Sequence, residues 1–182
     1  MRKFLNELVP HLRAIFSTVM YTGIRSKELK FIRPEQVSFE DSYIQLRAGE
    51  TKNSEPRKVG INERVKRELI EWAKYTNEHH PETKWFFHYE GNQIGDCKPA
   101  WYAALVRAGL RTKDENGKWV NEVRFHDTRR HAATFNSEAG VSRSDNQQSL
   151  GHVSESVNLD YDQSDVVKRT LEKQNAHLKR TW

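Results

Sequence analysis

Five short groups of chemically active residues follow one another along the chain. They are Thr22-Gly23-Ile24-Arg25-Ser26-Lys27-Glu28-Leu29, Thr51-Lys52, His126-Asp127-Thr128-Arg129, Leu150-Gly151-His152 and Tyr161. Arginine binds phosphate oxygens through paired N–H donors and stays charged at any physiological pH. A tyrosine hydroxyl can attack phosphorus, while histidine and lysine can move protons. Together these residue types could carry out chemistry on a phosphodiester, although each group has an ordinary structural explanation as well.

The two arginines match what the transition state of such a reaction requires. A phosphodiester is anionic, and its transition state spreads charge over the non-bridging oxygens. Arg25 and Arg129 are our candidates for binding those oxygens. The ordinary alternative for Arg25 is an ion pair with Glu28 on a surface helix. For Arg129 it is a solvated charge beside Arg130.

Tyr161 is the candidate nucleophile. A free phenol has a pKa near 10, so about one molecule in a thousand is ionised at pH 7, a penalty of about 4 kcal/mol. Neighbouring positive charge and a proton acceptor must supply that difference. The alternative is a half-buried amphipathic tyrosine, which is our interpretation of the other five. Only its position, nine residues after His152, distinguishes Tyr161 from them.

The order and spacing of these motifs resemble the tyrosine recombinase family of phage integrases and Xer-type recombinases. The family's pattern is an arginine in TGxRxxEL, a lysine on a β-hairpin, HxxR, LGH and then a tyrosine. HxxR alone decides nothing, because the chain has eight histidines. The resemblance covers roughly Tyr21 to Tyr161. It implies a site-specific DNA recombinase or integrase, carried by a phage or another mobile element.

The resemblance also implies the roles of the nucleophile and of the acid. Tyr161 attacks a scissile phosphate and forms a transient 3′-phosphotyrosyl bond. Lys52 is similar to the hairpin lysine that protonates the departing 5′ oxygen. An ordinary exposed strand lysine is the alternative, and Lys58 on the facing strand is a competitor for the role.

Three further residues take their roles from the resemblance. His126 is similar to the family's proton acceptor or structural partner. His152 is similar to the histidine that donates a hydrogen bond to a non-bridging oxygen and supports the tyrosine. Glu28 is similar to the acidic residue that orients the site. The alternative for each histidine is a structural residue with its hydrogen bonds satisfied.

Two local features depart from the family's pattern. The segment Ser142–Ser149 is polar where the family packs apolar residues, so we expect it to bury little. Asp160 and Asp162 flank Tyr161, and their negative charges are expected to disfavour its ionisation and to repel a phosphate. Gln163 stands where the family often has a histidine. These departures leave a catalytically idle DNA-binding relative open. The motifs also allow a type IB topoisomerase-like strand transferase, or a helical adaptor in which they occur by coincidence.

Composition agrees with a polyanionic partner such as DNA, although many basic proteins bind no nucleic acid, and two arginines and a lysine at the site make a metal or other cofactor unnecessary. The 182 residues fit one domain, and the net charge of +5 with a pI of about 9.3 favours a polyanionic partner. The single cysteine, Cys97, excludes an internal disulfide and has no metal-ligand cluster around it. No apolar run approaches the roughly 20 residues of a membrane span. We therefore expect a cytoplasmic protein, in a bacterial, archaeal or phage-infected cell, that needs no metal.

Hydrophobic spacing predicts an α+β fold, mainly α-helical with a small antiparallel sheet. Apolar residues at helical spacing run from Phe4 to Met20, with Pro10 marking a bend or a helix start and Gly23 ending the pattern. Further helices are predicted from Ser26, from Asn62 to about Asn77, from Pro99 to Ala108, and from Phe125 onward with breaks near Gly140, Gly151 and Ser164. Strands are predicted over 43–47 and 57–61, and Asn116-Gly117 predicts a two-residue hairpin turn. We interpret residues 1–182 as a single catalytic domain without the family's N-terminal DNA-gripping domain.

Residues 164–182 predict a C-terminal helix with a thin apolar stripe. The stripe is formed by Val167, Leu171, Gln174 and Leu178, and Ser164 is predicted to cap the helix. In the resembling family, a helix after the tyrosine docks on a neighbouring protomer. Packing on its own domain is the alternative. The implied partners are double-stranded DNA, three further copies on paired DNA sites, and accessory DNA-bending or directionality proteins, with a monomer in solution.

Overall fold

A computed structural model describes residues 4–5, 8–49, 55–125, 127–151 and 163–181. The candidate site residues Lys52, His126, His152 and Tyr161 lie outside these ranges. The helices of the described residues are α1 (Pro10–Thr22), α2 (Ser26–Leu29), α3 (Glu63–His79), α4 (Lys98–Arg107), α5 (Asp127–Glu138), α6 (Arg143–Ser149) and α7 (Gln163–Thr181), with a 3-10 turn at Pro34–Gln36. The strands are β1 (Val37–Ser38), β2 (Tyr43–Leu46), β3 (Arg57–Gly60), β4 (His88–Tyr89), β5 (Asn92–Gln93), β6 (Arg111–Lys113) and β7 (Trp119–Asn121).

The core is built around α1, which is buried on nearly all sides. Pro10 occupies its first turn, and Gly23 ends it in the left-handed conformation with φ +67°, as the sequence predicts. Phe16 of α1 packs edge-to-face on Trp101 of α4, with ring centroids 5.1 Å apart. Phe125 joins the same cluster, 5.4 Å from Trp101. This cluster fixes the chain directly before α5 against α1.

The expected antiparallel sheet consists of β1, β2 and β3 in that order. The register pairs Leu46 with Arg57 and Ile44 with Val59. Successive side chains of a strand point to opposite faces. Arg57 and Val59 are buried on the inner face of β3, and Lys58 between them points to the other face.

Asn62 joins the start of α3 to the C-terminal helix. Its side-chain oxygen accepts a hydrogen bond from the backbone N–H of Val65 at 3.1 Å, which is the predicted cap. Its Nδ2 donates to Oε1 of Gln174 at 3.2 Å. A single amide thus ties α3 to α7.

In this structure α7 packs on its own domain, against β3, α5 and α6. Its buried side chains are Val166, Val167, Thr170, Gln174 and Leu178. The helix begins at Gln163, so Ser164 lies in the first turn and does not precede the helix as a cap. Docking of this helix on a neighbouring protomer stays a prediction.

The segment Ser142–Ser149 buries little, as the sequence predicts: Asp145 is its one buried residue. Ser142 caps α6 by accepting a hydrogen bond from the N–H of Asp145 at 3.1 Å. The Asp145 side chain is only 12% exposed and accepts two hydrogen bonds from Arg169 of α7, at 3.2 and 2.9 Å. Asn146 donates to the main-chain oxygen of Ala133 at 3.0 Å. The helix is therefore held to its neighbours by polar contacts.

The hairpin of β6 and β7 differs from its prediction by one residue in the turn. Asp114 and Lys118 form the closing pair, with the Asp114 N–H donating to the Lys118 oxygen at 2.9 Å. Three residues, 115–117, lie between them, and Gly117 takes φ +74°. A three-residue loop of this kind needs glycine at its left-handed position, so Asn116-Gly117 signals a hairpin but not its loop length.

Over the described ranges, no helix combines the length and apolar character that crossing a membrane requires.

Candidate active site

Arg25 and Glu28 are held together where α1 passes into α2. One oxygen of the Glu28 carboxylate accepts the backbone N–H of Arg25 at 2.9 Å, and the other accepts Nη1 of Arg25 at 3.0 Å. The Arg25 side chain is 28% exposed, whereas that of Glu28 is 2% exposed. The ion pair suggested as the ordinary alternative is present, but its acid lies in the interior. Glu28 therefore fixes the direction of the Arg25 guanidinium.

Arg129 projects from the first turns of α5 and links two of the sequence motifs. Its Nη1 donates to the main-chain oxygen of Gly23 at 2.5 Å, and its Nη2 donates to the main-chain oxygen of Leu150 at 2.6 Å. Burial, together with the positive charges of Arg25 and Arg57, lowers the pKa of Arg129 to about 10. The group is still cationic at neutral pH, and it is not the solvated charge of the alternative interpretation.

Both arginines line one cleft of about 570 Å³. Its described lining is Ile24, Arg25, Ser26, Lys27, Phe125, Thr128, Arg129, Arg130, Ala133 and Leu150. Four of these residues are cationic and none is acidic. A cleft of this charge concentrates anions, and paired guanidinium groups suit a phosphate.

Arg57 is the residue of this site that the sequence interpretation missed. Its Nη2 donates to Oε2 of Glu28 at 2.7 Å, and its side chain is 11% exposed. Its guanidinium also lies against Gly151, where an added Cβ would be 2.9 Å from Nε. The available signal was strand alternation, because Arg57 shares the inner face of its strand with Val59. A charged residue at an inward position of a strand needs a buried partner.

Electrostatics connect these groups into one unit. Burial lowers the pKa of Arg57, Glu28 opposes that effect, and the charge of Arg25 adds to it. Within the described part of the site, one carboxylate therefore faces three guanidinium groups. The excess positive charge suits an incoming anion.

Lys58 lies on the other face of β3 from Arg57. Its Nζ donates to Oγ of Ser164 in α7 at 2.8 Å and lies 4.7 Å from the centre of the Tyr43 ring. Since Arg57 on the opposite face contacts Glu28, Lys58 points away from the arginine pair. This placement disfavours Lys58 as the competitor of Lys52.

Of the residues chosen from the sequence, the structure brings together Arg25, Glu28 and Arg129. The positions and roles of Lys52, His126, His152 and Tyr161 stay predictions, because these residues lie outside the described ranges. Among the described residues there is no group of three or more His, Cys, Asp or Glu side chains placed to hold a metal ion.

Two kinds of similarity relate the chain to known proteins: one to a family model and one to solved structures. The family model described as the phage integrase family matches residues 2–168, which is most of the chain. No curated protein matches it.

Solved structures of recombinases share its fold. The crystal structure of XerA recombinase superimposes on 98% of this chain, and the match covers 60% of the XerA chain, with a TM-score of 0.69 and 20% sequence identity. The XerH site-specific recombinase, in a post-cleavage complex with its difH substrate, matches 100% of this chain and 51% of its own, with a TM-score of 0.61 and 19% identity. The Tn1549 transposon integrase, in complex with transposon right end DNA, matches 92% of this chain and 57% of its own, with a TM-score of 0.61 and 18% identity. The chain thus spans about half to three fifths of these proteins.

Proposed function

Because the chain belongs to the phage integrase family, we propose that it is the catalytic domain of a tyrosine-type site-specific DNA recombinase. The observation that carries this proposal is the pair Arg25 and Arg129. Both line one cationic cleft, one fixed by a buried carboxylate and the other by two main-chain oxygens. Such a fixed pair can bind the non-bridging oxygens of a phosphodiester without rearranging as charge develops.

The proposed reaction is a phosphoryl transfer to Tyr161. The phenolic oxygen attacks the scissile phosphorus and forms a 3′-phosphotyrosyl bond, while the bond from phosphorus to the 5′ oxygen breaks. His126 accepts the phenol proton, and Lys52 donates a proton to the leaving 5′ oxygen. His152 donates a hydrogen bond to a non-bridging oxygen.

In the second half of the reaction, a 5′ hydroxyl of a partner strand attacks the phosphotyrosyl bond and releases Tyr161. The covalent bond conserves the phosphodiester energy, so the exchange needs no ATP.

The proposed partner is double-stranded DNA. In support, XerH is bound to its difH substrate and the Tn1549 integrase to transposon right end DNA in their solved structures. We further propose a monomer in solution, a homotetramer on paired sites, and accessory proteins that bend DNA or set direction. The proposed setting is the cytoplasm of a bacterial, archaeal or phage-infected cell. There the chain would integrate or excise a mobile element.

The test is a search for the covalent intermediate. The protein is incubated with nicked duplexes taken from the DNA on either side of its gene, denatured in SDS, and separated by electrophoresis. We expect a shifted protein–DNA band that Tyr161→Phe abolishes while DNA affinity is unchanged. A wild type that binds DNA without this band is an idle relative. Rapid relaxation of supercoiled plasmid by the monomer identifies a topoisomerase-like enzyme instead.

A further inference from the structure

We propose that Arg57 is a positioning residue of this site, which sets the orientation and the effective charge of Arg25 through Glu28. The inference rests on the proposed function, because it assigns Arg57 a part in DNA cleavage. Arg57 itself need not touch the scissile phosphate.

The first support is the way three donors share one carboxylate. Oε2 of Glu28 accepts both Nη2 of Arg57 at 2.7 Å and the backbone N–H of Arg25 at 2.9 Å. Oε1 is left for Nη1 of Arg25 at 3.0 Å. Arg57 thereby fixes the rotation of the carboxylate, and the carboxylate fixes the Arg25 guanidinium. Without Arg57, Glu28 can turn and Arg25 can follow it.

The second support is charge. Arg25 and Glu28 alone form a neutral pair, which attracts a phosphate weakly. With Arg57 bound to the same carboxylate, the group of three carries one net positive charge. Because Glu28 is almost completely buried, its attraction for Arg25 is weakly screened by water. Because Glu28 also pairs with Arg57, it neutralises less of the positive charge of Arg25, and Arg25 keeps its affinity for an anion in the cleft.

The third support is the position of Arg57 between other parts of the site. It is the first residue of β3 and lies five positions after Lys52 in the sequence. Its guanidinium packs on Gly151, which directly precedes His152. One side chain therefore connects the strand after the lysine segment, the Arg25 turn and the LGH motif.

A purely structural ion pair between β3 and α2 is the competing explanation. One detail argues against it: Nη1 of Arg57 is buried and has no hydrogen-bond partner among the described residues. An unsatisfied buried donor destabilises a fold. A residue kept only to stabilise the fold is expected to satisfy all its donors.

The test compares two substrates that differ in the charge of the scissile group. One carries the natural phosphate, and the other carries a methylphosphonate, which has one anionic oxygen fewer and so depends less on Arg25. Single-turnover cleavage, DNA affinity and melting temperature are measured for Arg57→Met, Arg57→Lys, Arg25→Ala and wild type. Arg47→Met is the matched control, because it removes an ion pair with Glu35 at 3.1 Å whose side chains are 47% and 59% exposed.

We expect Arg57→Met to cleave the phosphate substrate at least about thirtyfold more slowly, with DNA affinity within about threefold of wild type. On the methylphosphonate the deficit should shrink to about threefold, as it should for Arg25→Ala. Arg57→Lys keeps the charge but not the planar contact with Gly151, and should lie between Arg57→Met and wild type. Arg47→Met should match wild type on both substrates.

Equal slowing of Arg57→Met on both substrates, or wild-type rates on both, overturns the positioning role while leaving the proposed function intact. If Arg57→Met fails to fold, Arg57→Lys decides by the same comparison of substrates. A wild-type protein that forms no covalent adduct overturns the proposed function, and the role of Arg57 with it.

Discussion

Gly23 lies directly against Leu150, although 127 positions separate them in the sequence. The approach is so close that a Cβ atom on Gly23 would overlap Cδ2 of Leu150. Arg129 donates hydrogen bonds to the main-chain oxygens of both residues. The end of α1 and the end of α6 are therefore held to each other by packing and by one guanidinium. The motifs that carry Arg25 and His152 each begin at this junction.

Replacement of Gly23 tests this junction. Gly23→Ala introduces two penalties: a left-handed backbone at φ +67° and a steric clash with Leu150. Gly109→Ala is the matched control, because Gly109 has φ +72° and no neighbouring atom within 4 Å of an added Cβ. We expect Gly109→Ala to reduce the free energy of unfolding by about 1–2 kcal/mol. Gly23→Ala should lose at least about 1 kcal/mol more, measured by urea denaturation. Equal losses would contradict the close contact.

The two arginines should differ in how far their loss affects stability. Arg25→Ala removes donors that line the cleft and the hydrogen bond from Nη1 to Glu28, but no hydrogen bond to a main-chain oxygen. Arg129→Ala also removes the hydrogen bonds to Gly23 and Leu150. We expect both to reduce single-turnover cleavage by at least about a hundredfold. Arg129→Ala should lower the melting temperature more, because it leaves two buried carbonyls unpaired, whereas Glu28 keeps Arg57 and the Arg25 N–H when the Arg25 side chain is removed. Near-normal cleavage by either variant would exclude that arginine from phosphate binding.

The sequence predicts helix ends and sheet pairing well because these depend on local signals. Gly23 and Asn62 terminate or begin helices through their own backbone or side chain, and these effects do not require knowledge of the fold. Candidate site residues could be chosen by spacing because chemistry restricts the residue types. Arg25, Glu28 and Arg129 do meet in the structure.

The contacts that hold the site could not be predicted in the same way. Arg57 reaches Glu28 across 29 positions, and Asp145 pairs with Arg169 across 24. Strand alternation indicates that Arg57 points inward, but no pattern in the sequence identifies Glu28 as its partner or pairs Asp145 with Arg169. The burial of Asp145 within an otherwise poorly buried polar segment becomes understandable only when its partner Arg169 on another helix is known.

The buried His88 should make the free energy of unfolding fall at acidic pH. Its Nδ1 accepts the backbone N–H of Gly91 at 3.0 Å, so Nε2 bears the proton and donates to Oγ1 of Thr76 at 2.9 Å. Burial, with the nearby charges of His80 and His11, lowers the pKa of His88 to about 4. The unfolded chain binds this proton near pH 6.5, so the free energy of unfolding falls as the pH drops from 6.5 towards 4.

The full effect of His88 is on the order of 3 kcal/mol. His88→Gln should flatten the dependence of the free energy of unfolding on pH between about 4 and 6.5. His79→Gln is the control, because His79 is exposed on α3 and should leave the dependence unchanged. An unchanged slope in His88→Gln would mean that this histidine does not control the acid sensitivity.

A substrate with a modified leaving group should distinguish the role of Lys52 from that of Lys58. A substrate with sulfur in place of the bridging 5′ oxygen needs no proton from an acid. We expect Lys52→Ala to cleave that substrate almost as fast as wild type and to fail on normal DNA. Lys58→Ala should cleave both normally and only loosen α7, because its Nζ is bonded to Ser164. Equal impairment of Lys52→Ala on both substrates would point to a purely electrostatic role.

Deletion of residues 164–182 is expected to destabilise the monomer. The five buried side chains of α7 cover β3, α5 and α6, and Asp145 and Asn62 lose partners with it. A melting temperature lower by several degrees, with hydrogen exchange faster in β3 and α6, is the expected result. Because this variant loses stability, it cannot test whether α7 also docks on a second protomer.

A reversible disulfide that holds α7 on its own domain tests whether the helix docks on a second protomer, without removing the helix. An added Cβ on Gly60 would lie 3.2 Å from Cγ of Leu171, which suits a short disulfide between Gly60→Cys and Leu171→Cys. If α7 must leave its own domain to join protomers, the oxidised variant should form the covalent adduct on a single site. It should fail to recombine two sites until a reductant is added. Each single-cysteine variant is the control for the substitutions. Normal recombination by the oxidised, fully crosslinked protein would show that α7 stays on its own domain during assembly.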